Sequence, residues 1–410
     1  MMIVLFDTWR CLSELFGPVG LGVHPQHIKH RILADRRRQA GKISSKRTRR
    51  LAQISQYEKF RHLMNAVAID LFCGAGGLTH GLRKAGIKVV AGYDLDPKCR
   101  WPYERNNRGT VFYERDISSI TGDELAAQFK GADVTILAGC APCQPFSSYS
   151  LGKTESTDRR WSMLGEFGRL IEETLPDIVT MENVPKVRQH AVFKRFLRIL
   201  KDAEYEVSVR VVACTDYGIP QDRKRLVLLA SRLGDIRLRD RDARKDRRRT
   251  VRDVIGQLPE LVAGETDDDD ALHTCSRLSE KNLARVRASV PGGSWKTWAE
   301  ELVADCHKEE SGHSFPSVYG RMEWDKPSPT ITTQFFGFGN GRFGHPTQDR
   351  AISLREGALL QTFPRNYAFV VPGDTPEIKA IGRLIGNAVP VRLGQVIGES
   401  ILKHLDAPSC

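Results

Sequence analysis

The chain has 410 residues, 40% of them apolar and 27% charged, enough to bury a sizeable core and too apolar for wholesale disorder. Lysine and arginine outnumber the acids 62 to 50, a net charge of +12 and a pI near 9.3, as expected of a nucleic-acid binder. Nine cysteines without an even framework of close spacings argue against a disulfide-stapled secreted fold and fit a reducing cytosol; no apolar run approaches the ~18 residues that span a bilayer.

In chain order, residues 1–22 are mildly apolar, but Asp7, Arg10 and Glu14 interrupt them and no basic residue precedes their apolar start, so they make a poor signal peptide. Residues 29–61 carry twelve lysines and arginines against two acids, a local charge of +10 that leaves only +3 from His62 onward. This basic arm, 1–63, reads either as a DNA-contacting extension or as a solvated tail, with Met64 an alternative start. From Ala66 short apolar runs alternate with helical spacing, the pattern of βαβ units in a mostly parallel sheet. Strands are predicted at 66–72, 89–93, 133–139 and 177–182, and helices at 78–85, 161–174 and 192–203. The alternating segment 205–212 and the run 225–230, joined through a turn at 217–220, predict a more antiparallel edge. The charge-dense stretch 235–249 and the acidic block 267–270 read as solvated linkers or surface loops. Periodicity is weak from 250 to 319. It recovers at 327–333, in the Gly/Phe-rich stretch 335–344, in a helix at 353–361 and in a closing helix over 382–405 entered through Asn387 and Pro390. No internal repeat is present.

Four segments carry chemistry. The first is Ala66-Val67-Ala68-Ile69-Asp70-Leu71-Phe72-Cys73-Gly74-Ala75-Gly76-Gly77, an apolar strand running into a glycine turn and a helix, where a ligand can approach the backbone. Asp94 lies 20 residues after Gly74 at the end of the next strand, placed to hold the two hydroxyls of a ribose. Thr79 stands where a third glycine would complete a pyrophosphate-binding turn, so a nucleoside without phosphates suits the site better. The second is Gly139-Cys140-Ala141-Pro142-Cys143-Gln144-Pro145, at the carboxyl end of a strand, where catalytic groups of open α/β sheets collect. Its flanking prolines restrict the backbone around a candidate nucleophile, Cys143. The CxxC spacing also permits a redox pair or half a zinc site, but neither has its usual context. The third is Met181-Glu182-Asn183-Val184, a strand-end carboxylate that could be held protonated against a ring nitrogen or simply cap a turn. The fourth is Gln221-Asp222-Arg223-Lys224-Arg225, whose alternating arginines can present two guanidinium groups on one face; alone, it would read as exposed charge at a strand's start.

These segments, with Gly386-Asn387-Ala388-Val389-Pro390 near the end, together and in this order resemble the DNA (cytosine-5) methyltransferases over about 66–405. Arg321, Pro327-Ser328-Pro329-Thr330-Ile331-Thr332 and the 355–364 helix resemble further family blocks. The resemblance implies an α/β, S-adenosylmethionine-dependent (Rossmann-like) large domain with a mostly parallel sheet, plus a small target-recognition domain, with DNA between them. The expected division is 1–63, a basic extension; 64–234, catalysis and cofactor; 235–330, target recognition; and 331–410, the return to the large domain. By resemblance Phe72 packs on adenine, with Asp70 in the same strand motif. Gly74, Gly76 and Gly77 approach the methionine portion and Asp94 holds the ribose. Asp116 and Ile117 meet the adenine edge, and Asn387, Ala388 and Val389 close the cofactor pocket. Leu95 departs from the aromatic many members carry there. Cys143 is the expected nucleophile toward carbon 6 of a flipped cytosine, Glu182 the partner of N3 and the amine, Arg225 that of O2, and Arg223 a support for the nucleophile's loop. Residues 147–160 read as a loop able to close over the base. No metal is implied. Double-stranded DNA is the implied partner, with a companion restriction endonuclease, in a cytoplasmic, nucleoid-associated monomer. Two other readings stand beside this one. A tRNA cytosine-5 methyltransferase is disfavoured because Cys214-Thr215-Asp216-Tyr217-Gly218 looks like the DNA branch and no Cys-Phe-Thr motif is present. A non-catalytic DNA-binding regulatory protein would have no need of the thiol, acid and arginine set.

Overall fold

The computed structural model describes residues 65–142, 162–309 and 315–407. The basic arm, Cys143 and the 147–160 loop lie outside these. At the centre is β1 (Ala66–Leu71), whose six residues are all buried, as a strand covered on both faces requires. It pairs in parallel with β2 (Lys88–Asp94) on one side and β4 (Val134–Gly139) on the other. Outside β2 lies β3 (Val111–Glu114); outside β4 lies β5 (Ile178–Asn183), again parallel. β6 (Glu206–Ala213) and β8 (Lys224–Ser231) finish the sheet, in the order 3-2-1-4-5-8-6, with β8 antiparallel to both neighbours. The short β7 (Gln221–Asp222) pairs with β9 (Ser328–Pro329).

Helices α1 (Gly77–Ala85), α2 (Arg100–Asn106), α3 (Gly122–Gln128), α4 (Met163–Thr174) and α5 (Ala191–Asp202) connect the strands. Leu125 of α3, Phe167 and Leu170 of α4 and Phe196 of α5 cover one face around Ile69, Leu137 and Val179. The other face is closed by Leu78 and Leu82 of α1 together with the last helix. Beyond the sheet lie α6 (Glu280–Ala288), α7 (Leu354–Leu360), α8 (Ile378–Asn387) and α9 (Val391–Leu405), besides single helical turns. α1 and α9 cross at glycines: a Cβ on Gly81 would sit 2.5 Å from the Val391 carbonyl oxygen, and one on Gly394 would sit 3.0 Å from that of Leu78. Chain from the far end of the sequence thus completes the layer that β1 needs. No helix among the described residues is long and apolar enough to cross a membrane.

Four expectations change. The four-residue edge strand β3 lacks a long apolar run, and periodicity did not delimit it. The closing helix is two helices, α8 and α9, because Pro390 has no N–H to continue the ladder and sits instead just before the first turn of α9. The 235–249 stretch is not merely solvated: Asp246 is fully buried and pairs with Arg239 and Arg392, both at 2.7 Å. In the acidic block, Asp270 likewise holds Arg355 at 2.6 Å.

Buried polar side chains just beyond the weakly periodic region do much of the bonding that anchors it and the chain after it. Buried Arg321 donates to the carbonyls of Val286, His345 and Gln348 and pairs with Asp349. Buried Arg350 grips Glu356 with two 2.8 Å bonds. This holds the Glu356 carboxyl at about 2 despite its burial. Burial pushes the adjacent His345 down to about 4.

Candidate active site

The strand order reverses between β1 and β4, and crevices form beyond the carboxyl ends of strands at such a point. A cavity of about 310 Å³ opens there, lined on different sides by Phe72, Asp94, Ile117, Pro142 and Val389. The turn after β1 needs unusual backbone: Phe72, Gly74 and Gly76 have φ of 58°, 53° and 88°, the left-handed region that glycine tolerates best. The three glycines serve different ends. Gly74 lines the cavity, and a Cβ there would meet nothing within 4 Å. A Cβ on Gly76 would sit 2.6 Å from the Asn107 amide nitrogen, and one on Gly77 would collide with the Val389 carbonyl oxygen. The glycines at 76 and 77 are therefore demanded by protein packing, and neither residue lines the cavity.

The Gly74 N–H donates to Asp94 Oδ2 at 2.8 Å, and the Asp96 N–H to Asp94 Oδ1 at 3.0 Å. These bonds lower the Asp94 carboxyl, but burial outweighs them and raises it. They also occupy the N–H that a phosphate at this turn would need. Asp70 accepts from the Thr79 hydroxyl at 2.6 Å and the Thr79 N–H at 3.1 Å, and burial pushes its carboxyl up to about 7. Asp116 Oδ1 takes the Ser118 N–H at 3.0 Å, capping the turn that presents Ile117. Asn387, Ala388 and Val389, at the break between α8 and α9, form the opposite wall.

Pattern reading missed several lining residues, among them Asp96, Cys99, Met163 and Arg383. Asp96 was accessible in principle, because Asp-Pro-Lys with the Asp96 side chain accepting from the Lys98 N–H is a turn signature. Arg383 was not: its 2.6 Å pair with Asp96 joins distant parts of the chain.

Adjoining the cavity, the ends of β4, β5 and β8 meet. Glu182 on β5 is nearly fully buried, and its Oε1 pairs with Arg225 Nε on β8 at 2.7 Å. Its Oε2 accepts from Cys140 Sγ at 2.9 Å. Asn183 donates to the Ala141 carbonyl at 3.1 Å, tying β5 to the segment that leads into Cys143. Arg223 and Arg225 are both buried, so this is not exposed charge at a strand's start. The two diverge: Arg225 meets Glu182, whereas Arg223 donates to the Ile331 carbonyl at 3.0 Å and to Gln221 Oε1 at 3.3 Å. Gln221 Nε2 in turn donates to Gln361 Oε1 at 3.0 Å, and Gln361 Nε2 donates to the carbonyls of Ile385 at 2.8 Å and Ala388 at 3.2 Å. A fully buried chain of two glutamines thus links Arg223 to the wall of the cavity.

The sheet order, the cavity at the switch point and the buried acid–arginine pair define an α/β protein of the methyltransferase class. Residues 67–403 match the model of the C-5 cytosine-specific DNA methylase family, and the chain belongs to that family, the DNA (cytosine-5) methyltransferases. It is 54% identical over 346 residues to the Type II methylase M.HgiDII of Herpetosiphon aurantiacus, covering 84% of this chain and 97% of that one. It is 31% identical to the Type II methyltransferase M.Eco47II of Escherichia coli, covering 82% and 79%. Among solved structures, S. pombe Dnmt2 methyltransferase has the same fold, with a TM-score of 0.51 at 18% identity over 83% of this chain and 98% of that one. Spodoptera frugiperda DNMT2 superposes with a TM-score of 0.55 at 18% identity, over 83% and 100%.

Proposed function

We propose that this enzyme transfers a methyl group from S-adenosylmethionine to carbon 5 of a flipped-out cytosine within a specific duplex sequence, through a covalent adduct between Cys143 and carbon 6. The observation that carries this reading is the buried Glu182–Arg225 pair at 2.7 Å, set at the strand ends beside the cavity and next to the segment leading into Cys143.

The cavity fits the cofactor on its chemistry. Asp70, Asp94, Asp96 and Asp116 line it against two arginines, and Arg383 is already paired with Asp96. An acid-rich site whose turn N–H is taken by Asp94 suits a cationic nucleoside and repels a pyrophosphate. Asp94 would hold the ribose hydroxyls, Phe72 and Ile117 the adenine, and the Asn387–Val389 wall would close the site, with Gly76 and Gly77 acting through packing. When bound there, S-adenosylmethionine supplies an electrophilic methyl group on a sulfonium.

Carbon 5 of cytosine is a weak nucleophile, so the protein's own groups must enrich it. The Cys143 thiolate adds to carbon 6 while Glu182 hydrogen-bonds N3 and the exocyclic amine, offsetting the charge that builds there. Arg225 orients Glu182 and faces O2, and Arg223 steadies the strand start. Once carbon 5 carries the methyl group, loss of its proton and expulsion of the Cys143 thiolate restore the ring. A stacked base is out of reach, so flipping, at a cost of about a few kcal/mol, precedes these steps. Residues 235–330 supply target recognition, and 147–160 close over the base. From the likeness to proteins named Type II methylases a companion restriction endonuclease is inferred, as is a monomer working in the cytoplasm on nucleoid DNA.

Bisulfite sequencing of DNA from cells expressing the protein tests the reaction and reveals the target. Cys143→Ala is expected to abolish 5-methylcytosine while leaving DNA binding largely intact, and full activity in that variant overturns the mechanism.

A further inference from the structure

A second cavity, of about 420 Å³, lies across the first turn of α9 from the one already described. Val389 lines the first; Val391 and Arg392 line the second, together with Gly218 of the turn that precedes β7. Its other walls bring together Lys84 from the end of α1 and Lys245, Arg247 and Arg249 from the charge-dense stretch. All four are exposed and have no carboxylate partner within 4.0 Å among the described residues. The acid lining the cavity is Asp253, whose carboxylate is bonded to the N–H and hydroxyl of Thr250 at 2.8 and 3.1 Å. That carboxylate lies in the field of Arg247 and Arg249, and the Asp253 carbonyl accepts from Arg249 at 3.1 Å, so one acid faces four cations besides Arg392. Arg392 is already neutralised by Asp246 at 2.7 Å and Glu399 at 3.1 Å.

These cations are not on a loose loop. Asp246, between Lys245 and Arg247, is fully buried and clamped by Arg239 and Arg392, and accepts the Asp242 N–H at 2.8 Å. The Arg247 carbonyl packs so closely on Gly218 that a Cβ there would stand 3.0 Å from it. One buried carboxylate therefore fixes Lys245 and Arg247 in a cavity wall shared with Lys84, where the cations outnumber the acids and an added anion lowers their mutual repulsion.

We propose that this basic cavity is a phosphate-binding site for the backbone of duplex DNA beyond the recognised sequence. It sits close to the Gln221–Arg225 segment in the chain and shares the start of α9 with the first cavity. On this proposal, a duplex presenting a base to Glu182 runs on so that its flanking phosphates meet the cavity. Lysine and arginine at a backbone contact add affinity without sequence choice, which separates this site from target recognition.

The test uses the full-length protein with Lys84, Lys245 and Arg247 changed to alanine, and with Lys245→Glu/Arg247→Glu as a second variant. Two duplexes containing the target are used, one just filling the cleft and one extending well beyond it on both sides. Methyl transfer on the short duplex should equal wild type in both variants, which reports the catalytic reading separately and shows that the protein is folded. On the long duplex the triple variant should lose about tenfold in affinity at moderate salt, with the log–log salt slope falling by roughly 0.9 per contact removed. Unchanged affinity and slope on the long duplex overturn the proposal. So does wild-type binding of inorganic phosphate at the cavity with no difference between the two duplexes, which would make it a small-anion site. Should the triple variant not fold, Lys245→Ala and Arg247→Ala alone must each lower the slope, or the proposal fails.

Discussion

Replacing Gln361 by leucine tests the buried link between the two halves of the site. Leucine matches the volume and removes the amide, leaving the Ile385 and Ala388 carbonyls without the Gln361 donor and Gln221 Nε2 without its 3.0 Å acceptor. Gln221 Nε2 retains the Leu360 carbonyl at 3.3 Å. Each buried group left unsatisfied costs about 1–3 kcal/mol, so with partial re-pairing the loss should be roughly 3 kcal/mol. Urea unfolding should show it as a lower midpoint with an unchanged slope. Because Ala388 belongs to the cavity wall, calorimetric titration with S-adenosylmethionine should show affinity falling by about tenfold, or 1.4 kcal/mol. Gln361→Glu can still accept from Gln221 but cannot donate to the two carbonyls, and should be no better. An unchanged midpoint together with unchanged cofactor affinity would refute the reasoning, since the bonds would then be contributing nothing.

Gly77→Ala places a methyl group on the Val389 carbonyl oxygen and should cost about 1–3 kcal/mol as overpacking while weakening cofactor binding; wild-type values in both calorimetric titration and thermal melting would contradict the packing account. Burial pushes Asp70 up to about 7 from an ordinary 3.8, so between those values the folded protein keeps a proton that the unfolded chain releases. Its contribution to stability therefore falls as pH rises from about 4 to about 7 and is level above, by roughly 4 kcal/mol at 1.36 kcal/mol per pH unit. Asp70→Asn should remove that slope in urea unfolding, and parallel curves for the two proteins would sink it. Deleting residues 1–63 should spare methyl transfer and flatten the salt dependence of DNA affinity; loss of cofactor binding on truncation would show that the arm belongs to the fold.

The sequence by itself determined what depends on neighbours along the chain. The unbroken run of β1 demands a strand covered on both faces, the glycines after it demand a turn, and the alternation in β6 marks an edge. Glu182 and Arg225 lie at strand ends, where an open sheet gathers its chemistry, but each alone reads as a turn cap or as exposed charge, and they became legible only as members of an ordered set of motifs. Local pattern could not supply contacts made across the whole chain. Arg383 reaches Asp96, Tyr367 donates to the Ala75 carbonyl 292 residues away, and Gln361 completes a path from Arg223 to the cavity. Nor could it tell which charges would be buried, since Asp246 lies among residues that read as solvent-facing and is withdrawn only because Arg239 and Arg392 arrive from two directions. Periodicity and turn chemistry are properties of a few consecutive residues. Partners for a buried polar group are chosen when distant segments pack, and only the tertiary structure decides them.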